Sequence, residues 1–232
     1  MDGLVNVLSR VWHFRHLSAQ DLKHIVSAGN LRRFSEGEWI FHEAQEGAGM
    51  FVLLRGEVHL YKLGPNAQEQ IISTIESVIM FNELTAIDGG PNPYSARACR
   101  NSLTWNISNQ SFNDLVRRYP DPEIGLGLLR VLAQRTRMLI ERCEDLSYLP
   151  VISRMAKLLL ELSAQGKRPI DRSEHPIREL AAHIASVPEV VSRSLSYLHE
   201  MGAIDCSRTQ ILVHQPERLA EVARAETSVF LN

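Results

Sequence analysis

The sequence predicts an α+β protein in which an antiparallel β domain is followed by a long helix and then by a small helical domain. Between Asn30 and Ser108, short β-favouring runs recur about every ten residues, with glycine turns between them. A continuous helical pattern comes next, followed by two short helical patterns separated by a sharp break. The strand spacing is typical of an antiparallel barrel, roll or sandwich.

Composition excludes several classes of protein. At 232 residues, 44% hydrophobic and 22% charged, the chain can fold as one large or two modest domains with real cores. No apolar run approaches about 18 residues and the first residues include an early acid, so we expect neither secretion nor a membrane span. Cys99, Cys143 and Cys206 stand far apart, which argues against disulfides and a sequence-local metal site. We expect a cytoplasmic protein.

Charge gives no argument for a polyanionic partner. The net charge is −2, and residues 148–232 hold ten basic and ten acidic side chains. Nucleic-acid binding must therefore be predicted from a motif.

The β domain opens after a short helix, for which Ser18-x-x-Asp21 has the spacing of an N-terminal cap. Turns at Glu36-Gly37 and Arg55-Gly56 separate the strand-like runs. These runs are residues 38–42, 50–54, 57–61, 70–75 and 103–107.

A long helix is predicted over residues 122–147, with apolar positions spaced close to 3.5 residues apart. Its apolar face exceeds what one small β domain covers, so we predict a homodimer through this helix; packing only on its own barrel is the alternative. Arg135 and Arg142 share the stripe and are expected at its margin or paired across it. The predicted interface consists of Leu128, Leu132, Leu139 and Leu146.

Proline at position 150 biases Leu149 away from the helical region, so the long helix should bend or stop there. We place the domain boundary at this point, with a first domain of residues 1–147 and a second of residues 148–232. A further helical pattern runs from Val151 to Gln165, with Gly166 as a stop.

Residues 176–184 form a short helical pattern with proline in its first turn, and a break at residues 185–187 follows. The next helix is predicted to open with the capping-box spacing Ser186-x-x-Glu189 and to end at Gly202. Such a pair is a helix-turn-helix pattern. Two β-favouring runs flank the polar turn 207–209, which predicts a two-stranded wing.

The second helix of this pair has two different faces. Its core positions are Val191, Leu195 and Leu198; its polar positions, near the helix start, are Glu189, Ser192, Arg193 and Ser196. Recognition helices present their N-terminal residues to base edges in the major groove, where arginine binds guanine and glutamate accepts from cytosine. The polar set therefore predicts a DNA-binding surface. Two alternatives stay open: a capping role for Glu189 and a surface ion pair between Glu189 and Arg193.

Together these motifs resemble the bacterial transcription regulators of the cyclic-AMP receptor protein and fumarate–nitrate reductase regulator (CRP/FNR) family. The resemblance covers the glycine turns, the segments Phe81-Asn82-Glu83-Leu84 and Gly89-Gly90-Pro91, the long helix with its hinge, and the winged helix-turn-helix. It implies an N-terminal antiparallel β-roll of the cyclic-nucleotide-binding type, a dimerisation helix and a C-terminal winged helix-turn-helix. It also implies double-stranded DNA, a second copy of the chain and RNA polymerase as partners.

Residues 189–193 are similar to the E-x-x-S-R motif of the fumarate–nitrate branch, which recognises TTGAT half-sites in a palindrome; the cyclic-AMP branch carries glycine in place of Ser192. By that resemblance Arg193 binds a guanine, Glu189 contacts the base pairs beside it, and Ser192 helps discriminate the half-site. The chain is thus expected to be an effector- or redox-responsive regulator.

The effector pocket implied by the resemblance contains Phe81, Glu83, Leu84, Asn92, Arg135 and Leu139. Cyclic-nucleotide binders of the family carry a phosphate-binding arginine where this chain has Asn92, and a Thr-Ser pair where it has Leu139-Ile140. Glycine is also replaced by Asn82, whereas Glu83 and Arg135 match. A buried phosphate without its countercharge is costly, so we expect no dependence on cyclic AMP.

The cysteines and histidines bear on two other cofactors of the family, an iron–sulfur cluster and haem. The iron–sulfur version of the family needs four cysteines, three of them near the N-terminus, which this chain lacks. A haem-dependent gas sensor stays open, because nine histidines and an apolar roll interior could supply a ligand and a pocket. No histidine stands out, and surface or packing roles are expected for His13, His16, His24 and His59. Cys99 and Cys143 are expected to be buried packing residues and not redox switches. The signal is a haem-bound gas, a redox change, another small molecule, or abundance alone.

Two rival classes remain as alternatives. A metal-dependent enzyme of the cupin type needs an H-x-H pair, and His59 stands alone; no G-x-S-x-G, P-loop or H-E-x-x-H motif occurs. We therefore expect no enzyme and assign no catalytic or metal-binding residue. A cyclic-nucleotide module that regulates a kinase or channel is disfavoured because no catalytic or membrane segment accompanies it.

Overall fold

The computed structural model describes residues 2–9, 11, 14, 18–64, 68–118 and 122–224, so His13 and His16 lie outside the described residues. By packing, the chain divides into two compact units: residues 1–62 with 72–135, and residues 63–71 with 136–232. The long helix ends at Tyr148, as the proline at position 150 predicts, while the boundary between residues 147 and 148 stays a prediction. None of the helices in the described ranges is long and apolar enough to cross a membrane.

The first unit is built on two four-stranded sheets, which have the strand orders β1-β8-β3-β6 and β2-β7-β4-β5. The pairs β1–β8, β3–β8, β3–β6, β2–β7 and β4–β7 are all antiparallel. In chain order the strands are β1 Asn30–Phe34, β2 Trp39–Phe41, β3 Met50–Arg55, β4 Glu57–Leu63, β5 Glu69–Glu76, β6 Ile79–Phe81, β7 Ser95–Ala98 and β8 Ser102–Ile107.

Strand β3 separates two cores of this unit. Phe51 and Leu53 face a cluster that includes Phe81, whereas Met50 and Val52 face a second cluster on the opposite side. Successive side chains of a strand point to opposite faces, so a strand that is covered on both faces has a continuous apolar sequence. This explains why residues 50–54 show no polar alternation.

Four helices accompany the strands of this unit: α1 Asp2–Leu8, α2 Ala19–Ala28, α3 Glu83–Asp88 and α4 Asn109–Arg118. The predicted cap of α2 is confirmed, because the Ser18 hydroxyl accepts a hydrogen bond from the Asp21 backbone N–H at 3.1 Å. The indole of Trp105 on β8 is fully buried and donates to the Val26 carbonyl at 3.3 Å, which ties α2 to the sheet.

The long helix α5 covers Pro122–Tyr148, close to the predicted range. The elements that follow are α6 Val151–Leu162, β9 Ile170–Asp171, α7 Ile177–His183, α8 Pro188–Glu200, β10 Ile204–Cys206, β11 Gln210–Val213 and α9 Pro216–Arg224. Their apolar faces form one cluster, with Leu159, Leu180, Val191, Leu198 and Leu219 completely or almost completely buried. The predicted fold class, with its β-roll, long helix and C-terminal helix-turn-helix, is confirmed.

Gly49 and Gly37 provide a matched test of the roll's backbone. Both have φ near +80°, a conformation that costs an L-residue about 1–2 kcal/mol. A Cβ at Gly49 would lie 2.2 Å from the Ile107 carbonyl oxygen, whereas a Cβ at Gly37 meets nothing within 4 Å. We expect Gly49→Ala to lose about 1–3 kcal/mol more unfolding free energy than Gly37→Ala in urea denaturation. Equal losses would show that the approach of β3 to β8 is not tight at this point.

Candidate functional site

Helices α7 and α8 form the predicted helix-turn-helix. Leu180 of α7 packs in the same buried cluster as Val191, Leu195 and Leu198 of α8. The turn between the helices is held by the Ser186 backbone N–H, which donates to the Ala181 carbonyl at 2.9 Å. The sequence folds this way locally because buried side chains recur at i, i+4 and i+7 on α8.

The start of α8 differs from the prediction. The helix begins with Pro188 as its first residue and Val187 as its N-cap, which makes no side-chain capping bond, so the predicted capping box at Ser186 is wrong. Proline lacks a backbone N–H and suits the first helical position, and it also biases the preceding residue toward the extended conformation. Val187 has φ −111° and ψ 152°, as this rule requires. Glu189 is therefore not engaged as a capping-box partner.

The predicted polar face of α8 lies at the surface: Glu189, Ser192, Arg193 and Ser196 are all exposed. Among the described residues, Glu189 and Arg193 make neither a hydrogen bond nor an ion pair, with each other or with any other side chain. The Ser196 hydroxyl donates to the Ser192 carbonyl one turn earlier at 3.1 Å. The ion pair between Glu189 and Arg193, which the sequence left open, is therefore not formed in the described part of the chain.

The wing has three strands where two were predicted. Strands β10 and β11 pair as expected, and β9, whose sequence reads as a polar loop, pairs with the other side of β11 through Ile170. At the wing's turn, the Ser207 hydroxyl accepts hydrogen bonds from the backbone N–H groups of Thr209 and Gln210. Arg172 donates to the Ser207 carbonyl at 3.1 Å, so the turn is braced from β9's side.

Residues far from the helix-turn-helix in sequence hold its turn. The Gln68 amide donates to the Ser186 carbonyl at 2.7 Å, and one guanidinium nitrogen of Arg142 donates both to the His183 carbonyl at 2.8 Å and to the Ile71 carbonyl at 2.5 Å. Burial lowers the pKa of Arg142, and the nearby carboxylates of Glu161 and Asp145 offset part of that effect. All of these groups belong to the second unit. Arg142 thus bonds to backbone carbonyls within its own chain, while its predicted place at the margin of a dimer stripe or across it stays a prediction.

A buried amide network occupies the predicted effector pocket in the first unit. The Asn92 carbonyl oxygen accepts from the Ala48 backbone N–H at 2.9 Å and from the Asn82 amide at 3.0 Å. The Asn92 amide nitrogen donates to the carbonyls of His42 and Glu46, each at 3.1 Å. Asn92 is 2% exposed, and its side chain makes the four hydrogen bonds that an amide can make.

Glu83 and Arg135 form an ion pair beside this network, and Arg135 also donates to the Met80 carbonyl. The Glu83 carboxylate is buried, and its second oxygen has no hydrogen-bond partner among the described residues. Tyr94 lies in the same place: its hydroxyl accepts from the Asn82 backbone N–H at 2.9 Å. Burial and then the Glu83 carboxylate raise the pKa of Tyr94. Arg135 therefore also has its observed partners within its own chain.

The other predicted pocket residues are separated. Phe81 is completely buried among aromatic rings, 5.2 Å from the ring centroid of Phe51, and belongs to the roll's core. Leu84 is 41% exposed and Leu139 is 55% exposed, so neither lines a closed pocket in this structure. Sequence analysis missed Asn82 and Tyr94 as members of the network. The one available signal was an asparagine before a helix, because asparagine tolerates the left-handed conformation and Asn82 has φ +61°.

The long helix α5 presents two kinds of face. Leu128 is half-buried and packs against the apolar cluster of its own unit, and Leu132 is also half-buried, so both predicted interface leucines are partly covered within their own chain. Leu139 and Leu146 are exposed. Cys143 is exposed too, so the expectation that it is a buried packing residue is wrong. The exposed large apolar side chains of α5 are Leu126, Leu129, Met138, Leu139, Ile140 and Leu146.

Comparison with known proteins matches each half of the fold. Residues 31–119 match the family described as "Cyclic nucleotide-binding domain", and residues 153–222 match the "Crp-like helix-turn-helix domain". The chain belongs to the CRP/FNR family of DNA-binding transcription regulators. This membership confirms the predicted family and, with it, the coarse function.

Relatives of this CRP/FNR regulator match along most of their length. It is 27% identical over 210 residues to the cyclic AMP receptor protein of Thermus thermophilus, covering 90% of this chain and 95% of that one. It is 28% identical over 196 residues to the CRP-like cAMP-activated global transcriptional regulator of Mycobacterium tuberculosis, covering 82% and 87%. The structure of the c-di-GMP-responsive global regulator CLP of Xanthomonas campestris superposes with a TM-score of 0.74 and covers 85% of this chain and 99% of the CLP chain. The two sequences are 18% identical, so this similarity concerns the fold alone.

Proposed function

We propose that this CRP/FNR regulator binds a two-fold DNA site of the TTGAT type as a homodimer, and that its signal is not cyclic AMP. The observation that carries the proposal is the polar N-terminal face of α8. Glu189, Ser192 and Arg193 are exposed there. The side chains of Glu189 and Arg193 make no hydrogen bond or ion pair within the described chain. Groups without intramolecular partners are available to base edges at no cost in broken bonds.

The residue types on α8 fit direct readout in the major groove. A guanidinium binds the O6 and N7 of guanine bidentately, and a carboxylate accepts from the N4 of cytosine. Glu189 and Arg193 lie one helical turn apart, so both can reach neighbouring base pairs from one helix. Ser192 lies beside Arg193 and supports discrimination within the half-site, in the E-x-x-S-R order of the fumarate–nitrate branch.

Charge balance makes these contacts decisive for specificity. Non-specific attraction to DNA comes mainly from lysine and arginine at phosphates, and residues 148–232 carry ten basic against ten acidic side chains. We therefore assign most of the discrimination to base contacts, with phosphate contacts setting the register.

Cyclic AMP is disfavoured by the interior of the roll. The side chain of Asn92 cannot supply a positive charge, and its four hydrogen bonds already tie together the residues around it. Leu139 and Ile140 are exposed aliphatic side chains and cannot hydrogen-bond a purine. The names of two relatives refer to cyclic AMP, whereas the Xanthomonas regulator is described as responsive to c-di-GMP. Similarity to these proteins therefore does not identify the effector of this chain.

The homodimer is proposed through a different face of α5 from the one that the apolar spacing first indicated. Leu126, Leu129, Ala133, Ile140 and Cys143 are exposed and lie three, four, seven and three residues apart. With the exposed Thr136 between Ala133 and Ile140, they follow the alternating spacing of three and four residues that a coiled-coil seam requires. On the helical wheel this face is turned away from Leu128, whereas Leu132 lies at its edge; both leucines are partly covered within their own chain. A second copy of α5 would cover it, and Leu139 would flank the seam.

Arg193→Ala is expected to weaken binding to a TTGAT palindrome by about 1–3 kcal/mol per half-site, because a bidentate guanine contact is lost. Binding to a scrambled duplex should change much less. Fluorescence anisotropy at fixed salt measures both. Arg218→Ala, which removes the same charge from an exposed position on α9, should leave both affinities unchanged. An equal loss on both duplexes for Arg193→Ala would make Arg193 a phosphate contact and would contradict the half-site assignment.

Replacing Leu129 and Ile140 together by glutamate is expected to give a monomer, because four carboxylates would have to be desolvated in the dimer seam. Sedimentation velocity measures the mass, and Leu31→Glu, which changes an equally exposed leucine on β1, should remain dimeric.

The seam also brings the two Cys143 thiols together at the two-fold axis. Mild oxidation should therefore give a covalent dimer that Cys143→Ser abolishes and Cys206→Ser does not. A double-glutamate variant that still sediments as a dimer would exclude this seam.

Isothermal titration calorimetry should detect no submicromolar binding of cyclic AMP to the purified dimer, because the phosphate would lose water without gaining a countercharge. The cyclic AMP receptor protein of Thermus thermophilus, measured in the same buffer, is the positive control. Submicromolar binding, or tighter DNA binding on addition of cyclic AMP, would contradict the proposal.

A further inference from the structure

Three metal-ligating side chains lie together on one face of the sheet β2-β7-β4-β5. The register pairs His59 with Arg97 and Val58 with Ala98, and the Cys99 backbone N–H donates to the Glu57 carbonyl at 2.9 Å. Val58 and Ala98 pack in the core of the roll, so Glu57, His59 and Cys99 point to the opposite face. The antiparallel ladder therefore fixes all three on neighbouring positions.

We propose that Glu57, His59 and Cys99 bind a divalent transition metal ion of the zinc type. One ligand atom from each of the three side chains lies within 4.8 Å of the other two, and the His59 Nε2 lies 3.2 Å from a Glu57 carboxylate oxygen. Tetrahedral zinc with ordinary bond lengths separates a nitrogen from an oxygen ligand by about 3.3 Å and from a sulfur ligand by about 3.6 Å. The first separation is already present, and the Cys99 sulfur, which lies within 4.8 Å of both other ligand atoms, would move toward the ion to give the second.

The donor set selects the metal. Imidazole nitrogen, thiolate sulfur and carboxylate oxygen together suit zinc and cobalt, whereas magnesium and calcium prefer oxygen ligands alone. Three protein ligands leave a fourth position for water. The side chain of Glu57 is 24% exposed and Cys99 is partly exposed, so an ion can enter from their side.

Tyr61 orients the histidine. Its hydroxyl lies 3.2 Å from the His59 Nδ1, and it accepts a hydrogen bond from Arg97 at 2.6 Å. Arg97 in turn stacks over the rings of Tyr61 and Trp39, which holds the hydroxyl in place. Metal-binding histidines usually have their second ring nitrogen fixed in this way, so Nε2 is directed toward the metal position.

The charges of the ion and its three ligands also balance, with the Arg97 and Arg100 guanidiniums as additional positive charges beside them. A divalent ion with one thiolate and one carboxylate is neutral, which suits a histidine that is 2% exposed. Binding releases the thiol proton of Cys99, so the apparent affinity should increase with pH. Arg100, 3.6 Å from the Glu57 carboxylate, lies at the exposed edge of the cluster.

The test uses the full-length protein, reduced and freed of metal with a chelator, and titrates it with Co²⁺ alone. We expect a thiolate-to-cobalt charge-transfer band that saturates at one ion per chain and that Zn²⁺ displaces. Cys99→Ser should abolish the band and weaken Zn²⁺ binding at least tenfold in calorimetry. Glu57→Gln should keep the band and weaken Zn²⁺ binding less.

The matched controls are Cys206→Ser and Cys143→Ser, which remove the other two thiols and should leave the band and the affinity unchanged. A wild-type protein without the charge-transfer band would overturn the proposal. So would a band that survives Cys99→Ser, because the thiolate would then come from elsewhere. Since binding is measured without DNA, failure of the metal site leaves the proposal for α8 intact, and the reverse also holds.

Discussion

Burial of Val191, Leu195 and Leu198 is the constraint on which the functional surface depends. These side chains anchor α8 in the core of the second unit, and the helical period then forces Glu189 and Arg193 to the opposite side. The short turn after α7 sets where α8 begins, and Pro188 fixes its first residue. The exposed polar face is thus a consequence of apolar packing, which orients Glu189 and Arg193 although their side chains make no hydrogen bond or ion pair in the described chain.

The interior of the β-roll differs from the surface of α8. There polar groups are buried and satisfied by one another: Asn92 ties the segment before β3 to Asn82, and Arg135 neutralises Glu83. Buried polar networks are rigid when complete, because an unpaired member costs free energy. The unpartnered oxygens of Asn82 and Glu83 mark the part of this network that is incomplete within the described chain.

The long helix α5 has one face that bonds within its own chain and another that is exposed. Its half-buried arginines donate to backbone carbonyls of β5, β6 and α7, and Arg135 also to Glu83. A guanidinium carries five donors, so one side chain can serve several acceptors at once. This uses one face of α5 for its own chain and leaves the face with Leu129 and Ile140 uncovered. The apolar spacing of a helix therefore indicates that a face is buried, without indicating by what.

The sequence by itself determined what depends on local periodicity: the element types, the buried positions of α8, the exposed Glu189 and Arg193, the ends of α5, and the family. Backbone geometry repeats every 3.6 or 2 residues, so these features are visible in a single stretch of sequence. Only the tertiary structure decided which distant groups meet. It gave Arg142 its partners in β5 and α7, added β9 to the wing, and brought Cys99 beside Glu57 and His59. The physical reason is that strand register and the covering of a helix face are set by the packing of segments far apart in the chain, and no local pattern encodes that packing.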